Sequence, residues 1–577
     1  MNRLLRPTTR YQCLVRNSSQ QTRPPSNEFD GLISFPIDKL PTNNNVNVPK
    51  NPQPVEEVKK PSTHINFSDP RAAFKSKTLS ELIRGKLVFT ACQYKPLVNN
   101  SEALIKFSYD SLGLTITNFF LKRTFFGHFC AGEDEKTIDP TVKRLQLGGV
   151  GSILDYAAES DVVADNDKDA KKGPKTADDL VNIPTSTTVG KVQSRVYDYK
   201  NESVCDGHLK TFLDAVLAVH NVSPTGFAAI KCTALGNPEL LKRVSITLTE
   251  IRNLFHALDK DNSGFITKED FLKTFNTKIE GKDVLTYFNT LDTDQDGKID
   301  YIEWTNGLRL EDLHLLTAHC TVQGPLFQAT LTEEELELLK AMKKRVHQLA
   351  EQAQVSGVRL MIDAEHSYFQ PAIDHLTHEL SRIYNHQSVK FPIIFSTYQM
   401  YLKDSRSRLL TDLDRAKKGN YKFAAKLVRG AYMVLERQYA KDKQLNDPIL
   451  PNIQTTHDNY NFALKECIKR ISQGDNIEIM IASHNQGSIE LAVQTMNEYK
   501  LPPSSGVYFG QLLGMSDHLT FSLGSNGYKA YKYVPYGKVN EVMPYLIRRA
   551  QENSDALSGA KVELEMINQE IRRRLLG

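Results

Sequence analysis

Two adjacent arginines near the C-terminal end have the residue type and spacing for binding a carboxylate. Arg548 and Arg549 lie within residues 544–553, where apolar residues recur at helical spacing. A guanidinium group matches a planar carboxylate with two parallel hydrogen bonds, so two such groups on one helix indicate a site for an anionic substrate. Taken alone, the pair favours a solvated run of charge, with Glu552 pairing with Arg548 four residues earlier. The rest of the chain reverses that preference.

The elements that must position these arginines alternate between short apolar runs and longer helical segments. Such alternation is typical of parallel βαβ units, and eight of them predict an α/β fold with a closed (β/α)8 barrel. A doubly wound open sheet is the competing architecture, but no GxGxxG motif follows any of the runs. The eight runs are residues 148–155, 227–232, 358–363, 392–397, 423–428, 477–482, 506–510 and 530–534.

The segments outside these runs divide the chain further. Composition and periodicity predict a linker rich in Pro and Asn, a helical arm before the barrel, a mobile loop within it and an amphipathic tail that packs on the barrel or on a partner. The predicted bounds are 28–74 for the linker, 75–147 for the arm, 148–235 and 330–555 for the barrel, 160–190 for the loop and 556–577 for the tail.

The first 27 residues contain five arginines, several Ser and Thr, and no acidic residue. This composition predicts a mitochondrial transit peptide and a protein of the mitochondrial matrix, with a merely basic tail as the alternative.

The bulk composition excludes several classes of protein. A formal net charge of +4 over 577 residues favours neither nucleic acid nor an anionic membrane as a partner. The seven cysteines form no CxxC pair and indicate free thiols in a reducing compartment. The longest apolar runs, such as residues 112–121, are too short and too interrupted to span a membrane.

Two twelve-residue segments between the second and third runs follow the EF-hand calcium-binding pattern. Each has Gly at position 6 and oxygen ligands at positions 1, 3, 5, 9 and 12, with a backbone carbonyl at position 7. The second segment ends in Glu303, which suits the bidentate position, and predicts bound Ca²⁺. The first ends in the shorter Asp270, and its occupation stays open. The predicted ligands are Asp259, Asp261, Ser263, Phe265, Thr267 and Asp270 in the first loop and Asp292, Asp294, Asp296, Lys298, Asp300 and Glu303 in the second.

An all-α EF-hand pair is therefore predicted as an insertion over residues 245–310. Because it follows the second barrel run and precedes a helix predicted from Thr332, it lies on the side where barrel enzymes gather their catalytic loops.

Lys231 lies on the second run, Asp363 ends the third, and the two are natural partners in the barrel mouth. A buried lysine is costly without an anion, so a structural salt bridge is the simplest interpretation of the two. Together with the arginine pair, these residues resemble the flavin-dependent proline dehydrogenases. The resemblance covers residues 75–555, apart from the calcium loops and the low-complexity segment, and implies FAD as cofactor and L-proline as substrate.

The resemblance also implies roles for individual residues. Lys231, Asp363, Tyr533, Arg548 and Arg549 would be catalytic. The substrate would in addition contact Leu512 and Tyr545. The cofactor would contact Gln399, Lys426, Arg429, Gly430, Ala431, Tyr432, Thr456, Ser483, His484 and Glu552.

These roles fit the oxidation of a secondary amine to an imine. That reaction needs a neutral nitrogen and a hydride acceptor aimed at the adjacent carbon, while the protein supplies orientation and charge. The resemblance implies a membrane quinone as the electron sink and places the protein at the inner mitochondrial membrane. A 4-hydroxyproline dehydrogenase is the alternative within the family, which bulky Tyr533 disfavours. A calcium-binding adaptor with an inactive barrel is the alternative outside it.

Overall fold

The computed structural model describes residues 65–157, 199–223, 226–275, 282–318, 324–555 and 559–577. The predicted transit peptide, the predicted mobile loop and most of the predicted linker lie outside these residues. The described chain divides into two units. One contains residues 255–307 and 312–328, and the other contains the rest.

Eight parallel strands of the larger unit close into a barrel, in the order β1-β10-β9-β8-β7-β6-β5-β2. All eight predicted runs are confirmed as barrel strands, and the open-sheet alternative was wrong. The strands are β1 Val150–Tyr156, β2 Phe227–Ile230, β5 Arg359–Ile362, β6 Ile394–Gln399, β7 Phe423–Val428, β8 Ile477–Ala482, β9 Val507–Leu512 and β10 Lys529–Tyr536.

Aromatic side chains fill the inside of the barrel. Phe227 packs edge-to-face against Phe395, Tyr508 and Tyr531, with ring centroids 5.2, 5.5 and 5.1 Å apart. Such pairs are favourable beyond the area they bury. Because Phe227 begins β2, this packing plugs the barrel near the strand starts and leaves the carboxyl ends of the strands for a site.

Helices surround the barrel. The predicted crossover helix is confirmed as α14, whose N-cap Thr332 forms a capping box with Glu335. The helices that follow the barrel strands are α7 Glu202–Val222, α8 Pro238–Leu258, α14 Glu333–Ser356, α15 Gln370–Tyr384, α16 Ser405–Lys418, α17 Met433–Asp442, α18 Ile453–Ser472, α19 Gln486–Glu498, α20 Asp517–Ser525 and α21 Met543–Asp555.

Among the described residues, six helices precede the barrel in the region where the helical arm is predicted. They are α1 Pro70–Ala73, α2 Leu79–Gln93, α3 Lys95–Asn99, α4 Ser101–Arg123, α5 Phe125–Phe129 and α6 Glu135–Leu147. The linker prediction was wrong for its last ten residues: Ile65 and Phe67 are buried in the same apolar cluster as barrel residues, and α1 follows them. Burial of two large apolar side chains outweighed the Pro- and Asn-rich composition.

The C-terminal tail forms helix α22, Gly559–Leu576, and packs on the arm. Its Met566 and Ile567 are buried together with Phe74, Leu82 and Phe89 of the N-terminal helices. No helix in the described part of the chain has an apolar stretch long enough to cross a membrane.

The smaller unit contains two helix–loop–helix segments joined by a short antiparallel pair of strands. Ile266 and Ile299 face each other in this pair and are fully buried. The predicted boundary at residue 245 falls inside α8, which begins at Pro238. The elements that follow α8 are β3 Phe265–Thr267, α9 Lys268–Thr274, α10 Lys282–Leu291, β4 Lys298–Asp300, α11 Tyr301–Gly307, α12 Leu313–Ala318 and α13 Pro325–Ala329.

Candidate active site

An ion pair joins Asp363 to Lys426 at the mouth of the barrel. The hydroxyl of Tyr533 donates to the other carboxylate oxygen of Asp363 at 3.4 Å, and the Lys426 ammonium lies 5.9 Å from the centre of the Tyr533 ring. Burial, together with the carboxylates of Asp155 and Asp363, raises the pKa of Tyr533 well above its usual value, so the phenol keeps its proton. Three side chains from β5, β7 and β10 thus form one polar cluster.

The pairing of Asp363 with Lys231 stays a prediction beside this arrangement. Lys231 follows β2 and is buried, and its charge acts on the neighbouring carboxylate of Glu365. Lys426, which the resemblance assigns to the cofactor, donates a hydrogen bond to Asp363. Lys426 lies within β7, and its position in the sequence alone does not predict this contact.

Glu365 is a buried acid that the sequence analysis missed. Its carboxylate accepts hydrogen bonds from the Thr233 backbone N–H at 3.0 Å and from the Thr233 hydroxyl at 2.5 Å. Burial raises its pKa to about 7, and the hydrogen bonds oppose this effect. Its backbone carbonyl accepts from Gln399 Nε2 at 2.9 Å, so Glu365 also orients a predicted cofactor contact.

Arg429 lies just beyond the end of β7 between two serines and an aromatic ring. Its two terminal nitrogens donate to Ser483 Oγ and Ser488 Oγ, each at 2.7 Å. Its guanidinium carbon lies 3.6 Å from the centre of the Tyr460 ring, a cation–π contact. These contacts hold a cation at the ends of β7 and β8. Gly430 and Ala431 continue from it as an exposed turn, and Tyr432 is the buried N-cap of α17.

His484 connects two loops at the same mouth. Its Nε2 accepts from the Leu512 backbone N–H at 3.4 Å, and its Nδ1 is 2.9 Å from Ser516 Oγ. Burial lowers the pKa of His484 to about 3, so the ring is neutral and Nδ1–H is the donor to Ser516. The predicted cofactor contact His484 and the predicted substrate contact Leu512 are therefore linked by a hydrogen bond.

A buried charge network behind this loop was also missed. Glu563, on α22, accepts from the backbone N–H groups of Ser516 and Asp517 at 2.6 and 3.0 Å and so caps α20. Lys532, on β10, binds Asp517 at 2.8 Å and the Leu512 carbonyl at 3.2 Å. The C-terminal tail thereby fixes the loop that carries Leu512, and no sequence motif predicts this contact.

Helix α21 carries the arginine pair. Arg549 is 6% exposed, and its guanidinium group lies 4.9 Å from the centre of the Tyr545 ring. It donates to Glu552 at 2.5 Å, a pairing three residues apart. The predicted alternative paired Glu552 with Arg548, which is only half-buried. A merely solvated run of charge would leave both guanidinium groups in water, because burying one costs free energy. The burial of Arg549 therefore favours the hypothesis that the pair binds a substrate carboxylate.

Several buried polar atoms at this mouth have no hydrogen-bond partner within the described part of the chain. Gln399 Oε1 and Arg429 Nε lie at the ends of β6 and β7, and Arg549 Nε and Tyr545 Oη lie on α21. Buried polar atoms in native proteins are nearly always paired. An acceptor and a donor at neighbouring strand ends fit a polar heterocyclic cofactor, and the two donors on α21 fit an anionic substrate. Thr456, a further predicted cofactor contact, is buried in the first turn of α18, and its hydroxyl donates to the Asn452 carbonyl at 3.3 Å.

In the smaller unit, one group of carboxylates has the spacing for a metal ion. Among the described residues, oxygens of Asp292, Asp294 and Asp296 lie within 4.8 Å of one another. Glu303 is turned into the same loop, where it accepts from the backbone N–H of Thr293 and of Asp300, each at 3.0 Å. In the first loop, Asp270 instead binds Lys260 at 3.1 Å and accepts from Thr267 Oγ1 at 2.9 Å. The two loops therefore differ as their sequences do.

Comparison with known proteins shows the family to which this chain belongs. The family model described as proline dehydrogenase matches residues 237–561, over half of the chain. Proline dehydrogenase 1, mitochondrial, from Drosophila melanogaster is 36% identical over 569 residues, covering 91% of this chain and 83% of that protein. The protein of the same name from Homo sapiens is 35% identical over 559 residues, covering 90% of this chain and 91% of that protein.

A second group of relatives carries a different name. Hydroxyproline dehydrogenase from Bos taurus is 31% identical over 512 residues, covering 88% of this chain and 92% of that protein. A solved structure of proline utilization A from Bdellovibrio bacteriovorus superposes with a TM-score of 0.49 and 15% identity, over 84% of this chain and 38% of that chain, and adds nothing to the assignment. The family match and the full-length similarity to curated relatives place this chain in the proline dehydrogenase family, a family of flavoenzymes.

Proposed function

We propose that this protein oxidises L-proline to 1-pyrroline-5-carboxylate, with FAD as the hydride acceptor. The observation that carries the proposal is the buried guanidinium of Arg549, which has one donor atom unpaired and lies beside Tyr545. A small anionic substrate is the group that such a donor requires. Family membership and the similarity to proteins named proline dehydrogenase support proline as that substrate.

The residues of the chain divide the work between binding and orientation. Arg548 and Arg549 bind the substrate carboxylate, and Tyr533 and Leu512 bound the space beside the pyrrolidine ring. The ring nitrogen gives up its proton and the adjacent ring carbon gives up a hydride, which leaves the carbon–nitrogen double bond of the product. Bound FAD supplies the two-electron acceptor for that hydride. Lys231 and the Asp363–Lys426 pair fix the charge around the reacting ring without forming a covalent bond to it.

The residues that would hold FAD come from adjacent strand ends. Gln399 and Lys426 would contact the flavin ring, and Arg429, Ser483 and His484 would contact the cofactor farther along the mouth. The remaining proposed contacts are Gly430, Ala431, Tyr432, Thr456 and Glu552. The unpaired Gln399 Oε1 and Arg429 Nε support this assignment.

The purified protein tests the proposal directly. It should be yellow, show a flavin absorbance spectrum that proline bleaches without oxygen, and reduce a soluble dye in the presence of L-proline. A colourless protein that binds calcium but turns over no proline would instead favour the inactive adaptor. Turnover of 4-hydroxyproline in preference to proline would favour the alternative that the hydroxyproline dehydrogenase relatives suggest.

We place the protein in the mitochondrial matrix at the inner membrane, with a membrane quinone as the final electron acceptor. The Arg-rich, acid-free N-terminus and the relatives named mitochondrial support this location. We further propose that the smaller unit is an EF-hand pair whose second loop binds Ca²⁺ and modulates the enzyme. The cluster of Asp292, Asp294 and Asp296 supports this proposal.

A further inference from the structure

Helix α4 of the N-terminal arm exposes an unusual amount of apolar surface. Gly113 has a positive φ of 78° and breaks α4 into two arms, and the Thr117 hydroxyl of the second arm donates to the Ser108 carbonyl of the first at 3.0 Å. The arms therefore lie side by side, with Gly113 at their tip. Large apolar side chains at and around the tip are exposed by about half or more, namely Phe107, Leu112, Leu114, Ile116, Phe119 and Phe120.

These side chains do not form a single stripe. Successive helical residues are about 100° apart, so Ile116, Phe119 and Phe120 lie about 200°, about 140° and about 240° around the second arm from Leu114. Three of the four thus share one face of the arm, and Leu114 lies on the opposite face. A helix that docks on a protein surface normally presents one apolar stripe, whereas a helix that is apolar on most sides is surrounded by apolar material. The distribution around the tip thus favours a medium that surrounds it, which is lipid.

The charges near the tip fit an anionic lipid surface. Residues 83–123 contain six basic residues and two acidic ones, and no charge occurs from Ser111 to Leu121. Lys122 and Arg123, at the base of the second arm, are exposed, and the Lys122 ammonium forms an ion pair with Glu133. Asp110 is exposed on the first arm two residues before Leu112. Because a carboxylate avoids hydrocarbon, Asp110 limits entry to the boundary between headgroups and acyl chains, a depth of about 5–10 Å for interfacial helices.

We propose that the α4 hairpin, Ser101–Arg123, inserts its tip into one leaflet of an anionic membrane. The proposal rests on the proposed function for its biological setting, since an enzyme that passes electrons to a membrane quinone must meet the bilayer. Binding to lipid is nonetheless measured separately from catalysis. The apolar tip supplies the partition energy, and the basic residues supply attraction to acidic headgroups.

Vesicle flotation with the full chain tests the proposal. The probes are phosphatidylcholine vesicles with and without phosphatidylglycerol, and the variant is Leu114→Glu with Phe120→Glu. The matched control is Leu147→Glu with Val355→Glu, which introduces the same charge at apolar residues that are 88% and 79% exposed elsewhere. The wild type and the control should float with the anionic vesicles, and the hairpin variant should bind at least about tenfold more weakly. All three should reduce a soluble dye with proline equally well.

A fluorescent residue distinguishes the hairpin from the basic N-terminus, which all variants share. The single natural tryptophan, Trp304, is buried and gives a constant background. In Phe120→Trp, anionic vesicles should shift the emission to the blue and brominated acyl chains should quench it, while Val355→Trp should respond to neither.

Equal flotation of the hairpin variant, or a Phe120→Trp signal that brominated lipid leaves unchanged, would overturn the proposal. A wild-type dimer that the hairpin variant makes monomeric, without lipid binding, would overturn it in favour of a second copy of the chain. Failure of the wild type to reduce the dye with proline would count against the proposed function and not against membrane insertion.

Discussion

Lys426 lies within β7 and forms an ion pair with Asp363, the residue that follows β5, and both side chains are largely buried. The Tyr533 hydroxyl completes the arrangement from β10. A buried pair contributes little net stability, but removal of one partner leaves an uncompensated charge in the barrel. The pair therefore permits a test that separates the stability of the barrel from the chemistry at its mouth.

Asp363→Leu should lower the free energy of unfolding by about 3–5 kcal/mol, because the Lys426 ammonium is left buried without its anion. Addition of Lys426→Met should restore most of that stability, since both charges are then gone. Proline oxidation should remain abolished in the double variant. Urea unfolding and dye-coupled turnover measure the two effects. A double variant as unstable as the sum of the two single changes would show that the pair does not couple them.

Substitution of either arginine of the pair should weaken substrate binding without loss of the flavin. A charge-assisted hydrogen bond is worth about 1.5–3 kcal/mol, so Arg548→Met or Arg549→Met should lower kcat/KM for proline by at least about tenfold. Flavin absorbance should be unchanged. Arg572→Met, at an exposed arginine on α22, is the control. Normal proline kinetics in both variants would remove α21 from the substrate site.

Tyr533 should select against a substituted ring. Tyr533→Ser opens space beside the pyrrolidine ring and removes the bond to Asp363, so proline activity should fall and the preference should shift toward 4-hydroxyproline. The ratio of the two kcat/KM values measures the shift, with Tyr499→Ser as a surface control, since Tyr499 is 43% exposed. An unchanged ratio would mean that Tyr533 does not bound the ring.

Glu365 should make the stability of the fold depend on pH. Its pKa is raised to about 7 in the folded protein from a usual value of 4.5, so the native state holds this proton more tightly than the unfolded chain. Its stabilising contribution is complete below pH 4.5 and is lost as the pH rises through 7, by up to about 3 kcal/mol. Glu365→Gln should remove this part of the slope in urea unfolding between pH 5 and 8. Parallel slopes for wild type and variant would contradict the assignment.

The barrel follows from local patterns, but the contacts between distant segments do not. Apolar runs and their spacing predict all eight strands, and parallel strands bring their last residues to one mouth whatever the loops do. Glu563 could not be foreseen as the cap of α20, because its partners are 46 and 47 residues away and no pattern joins them. Likewise, Lys426 lies in the middle of β7, and only side-chain geometry shows that it contacts Asp363.

The second loop of the smaller unit should bind calcium much more tightly than the first. Oxygens of Asp292, Asp294 and Asp296 lie close together, whereas Asp270 of the first loop is already paired with Lys260. Glu303→Gln replaces a carboxylate of the second loop with a neutral amide. It should weaken calcium binding, as measured by calorimetry, by at least about tenfold. Asp270→Asn, at the equivalent position of the first loop, is the control and should change the tighter binding step little.

Calcium should also alter proline oxidation if the smaller unit modulates the enzyme. Neutralising the clustered carboxylates of the second loop should order that loop and its flanking helices, α10 and α11. The β3–β4 pair joins the second loop to the first, and α8, which enters the first loop, is continuous in the chain with the segment after Lys231. A coupling of about 1–3 kcal/mol is typical of allostery and corresponds to a change of roughly 5–150-fold in affinity for proline. The measurement is dye-coupled oxidation with calcium and with a chelator, in the wild type and in Glu303→Gln. Because Glu303→Gln is expected to bind poorly, it should behave with calcium as the wild type does with the chelator. Identical kinetics in all four conditions, with calcium binding shown by calorimetry, would leave the loop a stabilising role only.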